Sequence, residues 1–300
     1  MTHEHVNTHL QLESFEFPIQ CLAVSPSGAI RIYGDVERNV FVYQNDALAY
    51  SLKLGTRNLK LSTLERIRNI SFSSDESQFY VVCGDRIEAF RVSDGKRNWI
   101  SRTSRMFGFL GVLATAAAPS HDGRVAYSFD NGQFGIRDSN GTKCRSWRDN
   151  SAPRWMAFDP TGETLIGSDG FTVIRWDSTT GEVVRKISFD ERVYALTGSS
   201  VFPVFAVRGL HQVTLYIDDE PIATVRTGEG LPTLKFAHSS EMLAYSDLHS
   251  IHVVNFEGKE IHTICADDAR ILTIEFGSGD ETILASFSDG SVRTFALETS

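Results

Sequence analysis

Large apolar residues return about every forty residues along this chain, a period that confines it to folds assembled from many copies of one small unit. One series runs Phe158, Leu196, Phe236 and Phe276, at intervals of 38, 40 and 40, and a second runs Trp176, Tyr216, Phe256 and Phe295, at 40, 40 and 39. Each unit opens with an apolar run and a polar turn, as at Ser25-Pro26-Ser27-Gly28, Ser120-His121-Asp122-Gly123, Asp159-Pro160-Thr161-Gly162 and Gly277-Ser278-Gly279-Asp280. Glycine, proline, serine and aspartate supply the backbone angles and local hydrogen bonds that reverse a strand. A second apolar run ends in another tight turn, which carries Asp35, Asp85, Asp130, Asp169, Asp247 or Asp289. Third and fourth runs follow, clearest at 173–177 and 183–187.

Four short strands per unit predict an all-β fold, a seven-bladed β-propeller of four-stranded antiparallel blades. The first strands are expected at about 19–24, 66–72, 109–117, 154–158, 192–196, 232–236 and 270–276. The last unit ends one strand short. Residues 9–17 have the length and partial alternation of an edge strand, so this N-terminal strand is expected to pair into the last blade and leave no open edge. The domain reading is a flexible amino terminus at 1–8 and a single propeller over 9–300.

The 29 basic residues are outnumbered by 38 acidic ones, and a net charge of -9 repels a phosphate backbone at long range, so nucleic acid is not an expected partner. Cys21, Cys83, Cys144 and Cys265 lie in different units with apolar neighbours and no CxxC spacing, which reads as buried thiols rather than disulfides or a zinc site. Nowhere do eighteen apolar residues run together, and residues 1–10 hold His3, His5 and His9 without an apolar run. Neither a membrane span nor a secretory signal is expected, and a soluble cytoplasmic protein follows.

Trp176-Asp177-Ser178-Thr179-Thr180-Gly181 and Ser168-Asp169-Gly170, with Phe158-Asp159-Pro160-Thr161-Gly162 and Ser288-Asp289-Gly290, resemble the WD-repeat family. The rhythm covers roughly residues 19–300, and the fourth unit matches the motif most closely. The resemblance implies a seven-bladed propeller that presents its faces to other proteins. The family's Gly-His dipeptide occurs in no unit of this chain, although most turn aspartates are kept.

In a four-stranded meander the start of each first strand and the turn between second and third strands share a face. Counting back four from Phe72, Phe158 and Leu196 gives Arg68, Arg154 and Arg192; Arg66 and Arg270 fall six back from Phe72 and Phe276, and Trp155 and Tyr194 sit beside two of them. Such a set suits a partner's carboxylates or a phosphorylated segment. The alternative is that each arginine pairs with a turn aspartate such as Asp169 or Asp289, in place of the histidine network. Unit five differs: its first turn, Ser199-Ser200-Val201-Phe202-Pro203, is apolar, and its second, Gly209-Leu210-His211, lacks the aspartate. Val201 and Phe202 form an apolar contact point on the opposite face if they project, or join the core if the strands shift register. The Gly108, Gly111, Ala114, Ala116, Ala117 and Ala118 stripe of unit three either admits a partner chain or packs tightly near the axis.

No GxSxG, HExxH or P-loop occurs, and of the nine histidines only His249 and His252 lie close together within the repeats. The expectation is therefore a non-enzymatic scaffold with no cofactor and no metal, a monomeric propeller within a hetero-complex. It docks proteins through Arg66, Arg68, Arg154, Trp155, Arg192, Tyr194, Arg270 and Phe202, with no membrane contact. The alternative is a propeller enzyme or small-ligand binder that uses the central channel.

Overall fold

The structure is a computed structural model that describes residues 9–55, 66–102, 112–148, 153–230, 233–266 and 269–297. Its strands form seven four-stranded antiparallel sheets, the blades of a propeller. Blade one holds β2 (Ile19–Val24), β3 (Ile30–Asp35), β4 (Asn39–Gln44) and β5 (Ala47–Lys53). Blade two holds β6 (Ile67–Phe72), β7 (Gln78–Cys83), β8 (Arg86–Arg91) and β9 (Arg97–Arg102). Blade three holds β10 (Ala114–Pro119), β11 (Val125–Phe129), β12 (Gln133–Arg137) and β13 (Lys143–Arg148). Blade four holds β14 (Trp155–Phe158), β15 (Thr164–Ser168), β16 (Thr172–Asp177) and β17 (Val183–Ser188). Blade five holds β18 (Ala195–Gly198), β19 (Val204–Arg208), β20 (Gln212–Ile217) and β21 (Glu220–Arg226). Blade six holds β22 (Leu234–Phe236), β23 (Met242–Ser246), β24 (Ser250–Asn255) and β25 (Glu260–Cys265). Blade seven holds β26 (Ile271–Phe276), β27 (Thr282–Phe287) and β28 (Ser291–Ala296), and its outer strand is β1 (His9–Ser14).

The apolar periodicity follows from position in the blade. Second strands are covered on both faces by neighbouring blades, so β3, β11 and β19 are buried along their whole length, whereas the outermost β17 is largely exposed. Apolar layers fill the gaps between blades: Ala116, Ala118 and Phe134 of blade three pack on Met156, Phe158 and Trp176 of blade four. The alanines of β10 are buried here, so tight packing accounts for them, while Gly108 and Gly111 lie outside the described residues. In blade three the first strand begins at Ala114, later than the expected 109, and runs on to Pro119.

One marker residue stands elsewhere than the forty-residue count puts it. Phe158 pairs with Leu165 and Phe236 with Leu243, each immediately before the turn, but in blade five that place belongs to Gly198, paired with Phe205. Leu196 sits two residues earlier and packs on blade four. A side chain at 198 would collide with Ala157, its ideal Cβ falling 2.8 Å from that methyl group, so close approach of blades four and five explains the glycine.

Polar bonds tie blade to blade as well. Second-strand serines donate to the first strand of the next blade, Ser128 Oγ to the Pro153 carbonyl at 2.7 Å and Ser286 Oγ to that of Ile19 at 2.8 Å. On the far face the buried Asp280, held at a φ of 60° in a short 3-10 turn, accepts from the His238, Ser239 and Ser240 amides and from both serine hydroxyls at 2.6–3.0 Å. Burial alone would raise the pKa of this carboxyl, but the bonds from Ser240, Ser239 and the His238 amide together hold it below the usual aspartate value.

The ring closes as expected. β1 pairs antiparallel with β28, Gln11 opposite Thr294 and Ser14 opposite Ser291, and the Phe15 amide extends the ladder to the Gly290 carbonyl at 3.1 Å. The strand ends at Ser14, short of the expected residue 17, because Phe15 turns inward onto Tyr33 and Phe41 of blade one. Arg31 of that blade pairs with Glu13 at 3.2 Å; burial pushes the Glu13 carboxyl up, and Arg31 offsets this only in part. Residues 1–8, read from the sequence as a flexible terminus, lie outside the described residues.

Deleting residues 1–17 should expose the β28 edge and uncover Tyr33, lowering the melting temperature by at least about 5 °C, the equivalent of roughly 2 kcal/mol in a chain of this size. An unchanged melting curve would disprove closure by this strand. Asp280→Asn should cost about 1–3 kcal/mol at pH 7, because amides arranged for a carboxylate meet an amide group. A depressed carboxyl stabilises the fold above its unfolded pKa of about 3.9 and loses that contribution as pH falls through its folded value. The gap in urea midpoint between the two proteins should therefore narrow below about pH 4; a gap that stays constant down to pH 2 would refute the linkage.

Candidate functional site

Antiparallel strand order places all five arginines on one face. Backbone bonds between first-strand starts and turns fix that side: Val193 N to Gly170 O at 2.7 Å, Ile271 N to Leu248 O at 3.1 Å and Arg154 N to Ser168 O at 2.7 Å. Arg66, Arg68, Arg154, Arg192 and Arg270 are exposed here, in blades two, four, five and seven. The corrected register regroups them. Arg68 and Arg154 stand four residues before the strand end, while Arg192, counted from Gly198, joins Arg66 and Arg270 at six.

Among the described residues none of the five guanidinium groups has a hydrogen bond or ion pair, because the turn aspartates are engaged elsewhere. Asp35 accepts from Asn39, Asp130 from the Leu113 amide at 2.8 Å, and Asp169 from the Phe171 and Thr172 amides at 2.9 and 2.8 Å. Asp289 takes Ser291 and Arg293, the latter at 3.0 Å; Asp85 lies 3.8 Å from Arg86; and Asp247 faces Arg208 at 3.6 Å and His252 at 3.3 Å. Direct pairing of these arginines with turn aspartates, which the sequence allowed, is thus replaced by local turns and other cations, although the charge of Asp130 still acts on Arg68. Stacking is what orders one of them, the Arg192 Cζ lying 5.6 Å over the Tyr194 ring.

Arg68 is distinct. Register slips between Ile67 and Asn69, so Arg68 is the extra residue of a β-bulge, a device that re-aims a side chain. It lines the central cavity together with Trp155. Burial pushes its pKa below the usual value, Asp130 pulls it back, and neighbouring Arg66 adds to the depression; the group stays charged at any physiological pH.

The same face carries apolar residues that the sequence did not single out as a group. The turns between second and third strands of blades four, five and six present Phe171, Leu210 and Leu248, 57%, 52% and 37% exposed. Three adjacent blades thus offer a large side chain in the same turn, at its third position in blade four and its second in blades five and six, on the face that carries Arg154, Arg192, Tyr194 and Arg270. The signal that would have found them is positional, an apolar residue at a turn otherwise built from glycine, aspartate and asparagine.

Phe202 does not belong to this surface. It lies on the opposite face, half-buried, edge-on to Phe256 at 5.4 Å, which in turn meets Phe236 at 5.7 Å. Val201 is the residue of that turn which projects. Blade five compensates for its missing aspartate through Arg208, fully buried where other blades carry the inter-blade serine. Its Nη1 donates to the Ser246 carbonyl at 2.6 Å, and its charge faces Asp247 of blade six. His252, noted for its nearness to His249, stacks on Tyr245 and lies between Asp247 and Glu260.

The cysteines are free: Cys21 and Cys83 are buried, with Cys21 pushed up to about 12 by burial, but Cys144 is exposed and Cys265 half-buried, unlike the expected four buried thiols. Among the described residues no helix is long and apolar enough to cross a membrane. Compared with models of protein families and with curated proteins, the chain matches none.

Phe202→Ala should cost about 1–3 kcal/mol through the lost contacts with Phe256, whereas Val201→Ala should stay within about 0.5 kcal/mol. Equal denaturation midpoints for the two variants would refute the inward packing of Phe202.

Proposed function

We propose that the protein is a non-enzymatic docking platform whose arginine face binds an acidic or phosphorylated segment of a partner protein within a larger cytoplasmic assembly. The observation that carries this reading is the set of five exposed arginines with no ion pair among the described residues, next to turn aspartates of which only Asp130 acts on one of them, Arg68. On a chain of net charge -9, cations left free on one face favour an anionic ligand there and disfavour self-association through it. Phe171, Leu210, Leu248 and Tyr194 add apolar anchors, and aromatic residues with arginine are the composition of interface hot spots. Guanidinium groups bind carboxylates and phosphates through paired bonds, which suits them to such a segment.

The resemblance to the WD-repeat family supports the same reading, since that family uses propeller faces to hold other proteins. Free thiols without a disulfide suit a reducing compartment.

The test is binding of fluorescent polyglutamate and phosphoserine peptides to the full chain and to an Arg154→Glu, Arg192→Glu, Arg270→Glu variant. The variant should stay folded, losing only the exposed stacking of Arg192 on Tyr194, worth about 0.5–1 kcal/mol, and should bind at least about tenfold more weakly. Affinity of the unmodified protein should fall as salt rises. A folded variant that binds as the unmodified protein does, or an unmodified protein that ignores acidic peptides, would overturn the proposal.

A further inference from the structure

Behind the arginine face, first strands of six blades enclose a central cavity of about 240 Å³. Its walls combine apolar surface, with Trp155, Met156 and Leu196, and hydrogen-bonding side chains, among them Gln20, Asn69 and Thr273. That volume lies below the roughly 300–1,000 Å³ of sites for drug-sized molecules, so an occupant would be of metabolite size.

Charge in the cavity is unevenly satisfied. Lys235 and Glu275 form an ion pair at 2.6 Å and neutralise each other. Lys235 is level with Ser71, three residues beyond Arg68 along the first strand, so this pair lies on the side away from the arginine face. Arg68 remains as the one lining cation without a direct ion pair among the described residues, with Asp130 acting on it from farther off. Beside it the Asn69 Oδ1 is buried and has no hydrogen-bond partner in the protein. An unmatched buried acceptor costs stability unless a ligand or water donates to it.

We infer that this cavity binds a small hydroxylated organic anion, its acidic group held by Arg68 and its hydroxyl groups by Asn69, Gln20 and Thr273, with the carbon skeleton against Trp155. The requirements are complementary: one unpaired cation calls for one acidic group, and the Asn69 oxygen calls for a donor, which a hydroxyl supplies and a carboxylate or phosphate oxygen does not. The cavity shares Arg68 with the arginine face, but Arg154, Arg192 and Arg270 do not line it, so anion binding and peptide docking can be separated.

The test uses the full chain with glycerol 3-phosphate, glycerate, inorganic phosphate and glycerol at constant ionic strength, read by calorimetry and by tryptophan fluorescence. Glycerol 3-phosphate or glycerate should bind with a millimolar or lower dissociation constant and change the fluorescence; inorganic phosphate should bind at least about fivefold more weakly, and glycerol should not bind. Arg68→Gln should weaken the anion at least tenfold, and Asn69→Asp, which sets a carboxylate beside Arg68, should do the same. The fluorescence change should vanish in Trp155→Phe, a readout that stands even if a substitution at Arg68 or Asn69 impairs folding. The Arg154→Glu, Arg192→Glu, Arg270→Glu variant should keep the anion while losing acidic peptides, which separates the two sites. No binding of any anion, equal binding of glycerol, or binding unchanged by Arg68→Gln would overturn the inference.

Discussion

Everything in this molecule depends on pairing β1 with β28, because a ring of blades has no fixed geometry until its first and last members share a sheet. Before that, each blade touches only its neighbours, and an open array would expose a bare strand edge at β28. The pairing joins residues nearly three hundred positions apart, so the loop entropy is met only once the intervening blades have formed. Glu13 and Phe15 then fasten the same segment to Arg31, Tyr33 and Phe41 of blade one. The seam thus has bonds to both of the blades it joins.

Closure also explains why the face can keep free arginines. With the ring complete, blades are held by apolar layers, by serine bonds to the next first strand and by Asp280 seated among the amides of blade six. None of these uses a cation on the arginine face. Asp35, Asp169 and Asp289 bond within their own turns, and Asp247 faces Arg208 and His252. Positive charge is therefore left over in a protein that is acidic overall, and its position follows from fold geometry.

The architecture was legible because strand alternation and turn chemistry repeat in nearly every unit, so errors in one unit were corrected by the others. Strand ends were less legible: β1 stops at Ser14, since whether Phe15 continues a strand or fills a pocket depends on Tyr33 and Phe41 across the seam. Blade five misled for a related reason. Leu196 stands near the repeat position in sequence, but contact with Ala157 requires Gly198 there. The arginine positions could be read from the sequence, while their lack of partners could not, because Asp289 reaches Arg293 on its own strand and Asp247 reaches Arg208 of the neighbouring blade. Phe171, Leu210 and Leu248 were hidden because an apolar residue in a turn has the same letter as one in a strand, and only strand boundaries distinguish them.

Departure from symmetry is where function enters a repeat of this kind. Seven equal blades would surround the axis with seven equal side chains, and a uniform ring recognises little. The side chain at this level of the first strand differs from blade to blade, and that breaks the equivalence. At the bulged position blade two carries Arg68 and blade one Gln20, whereas the neighbouring level offers Trp155 from blade four and Thr273 from blade seven. The result is a cavity with a charged side, a polar side and an aromatic side. A ligand that binds there must match that order, so selectivity arises from which side chain each otherwise similar blade places at that level.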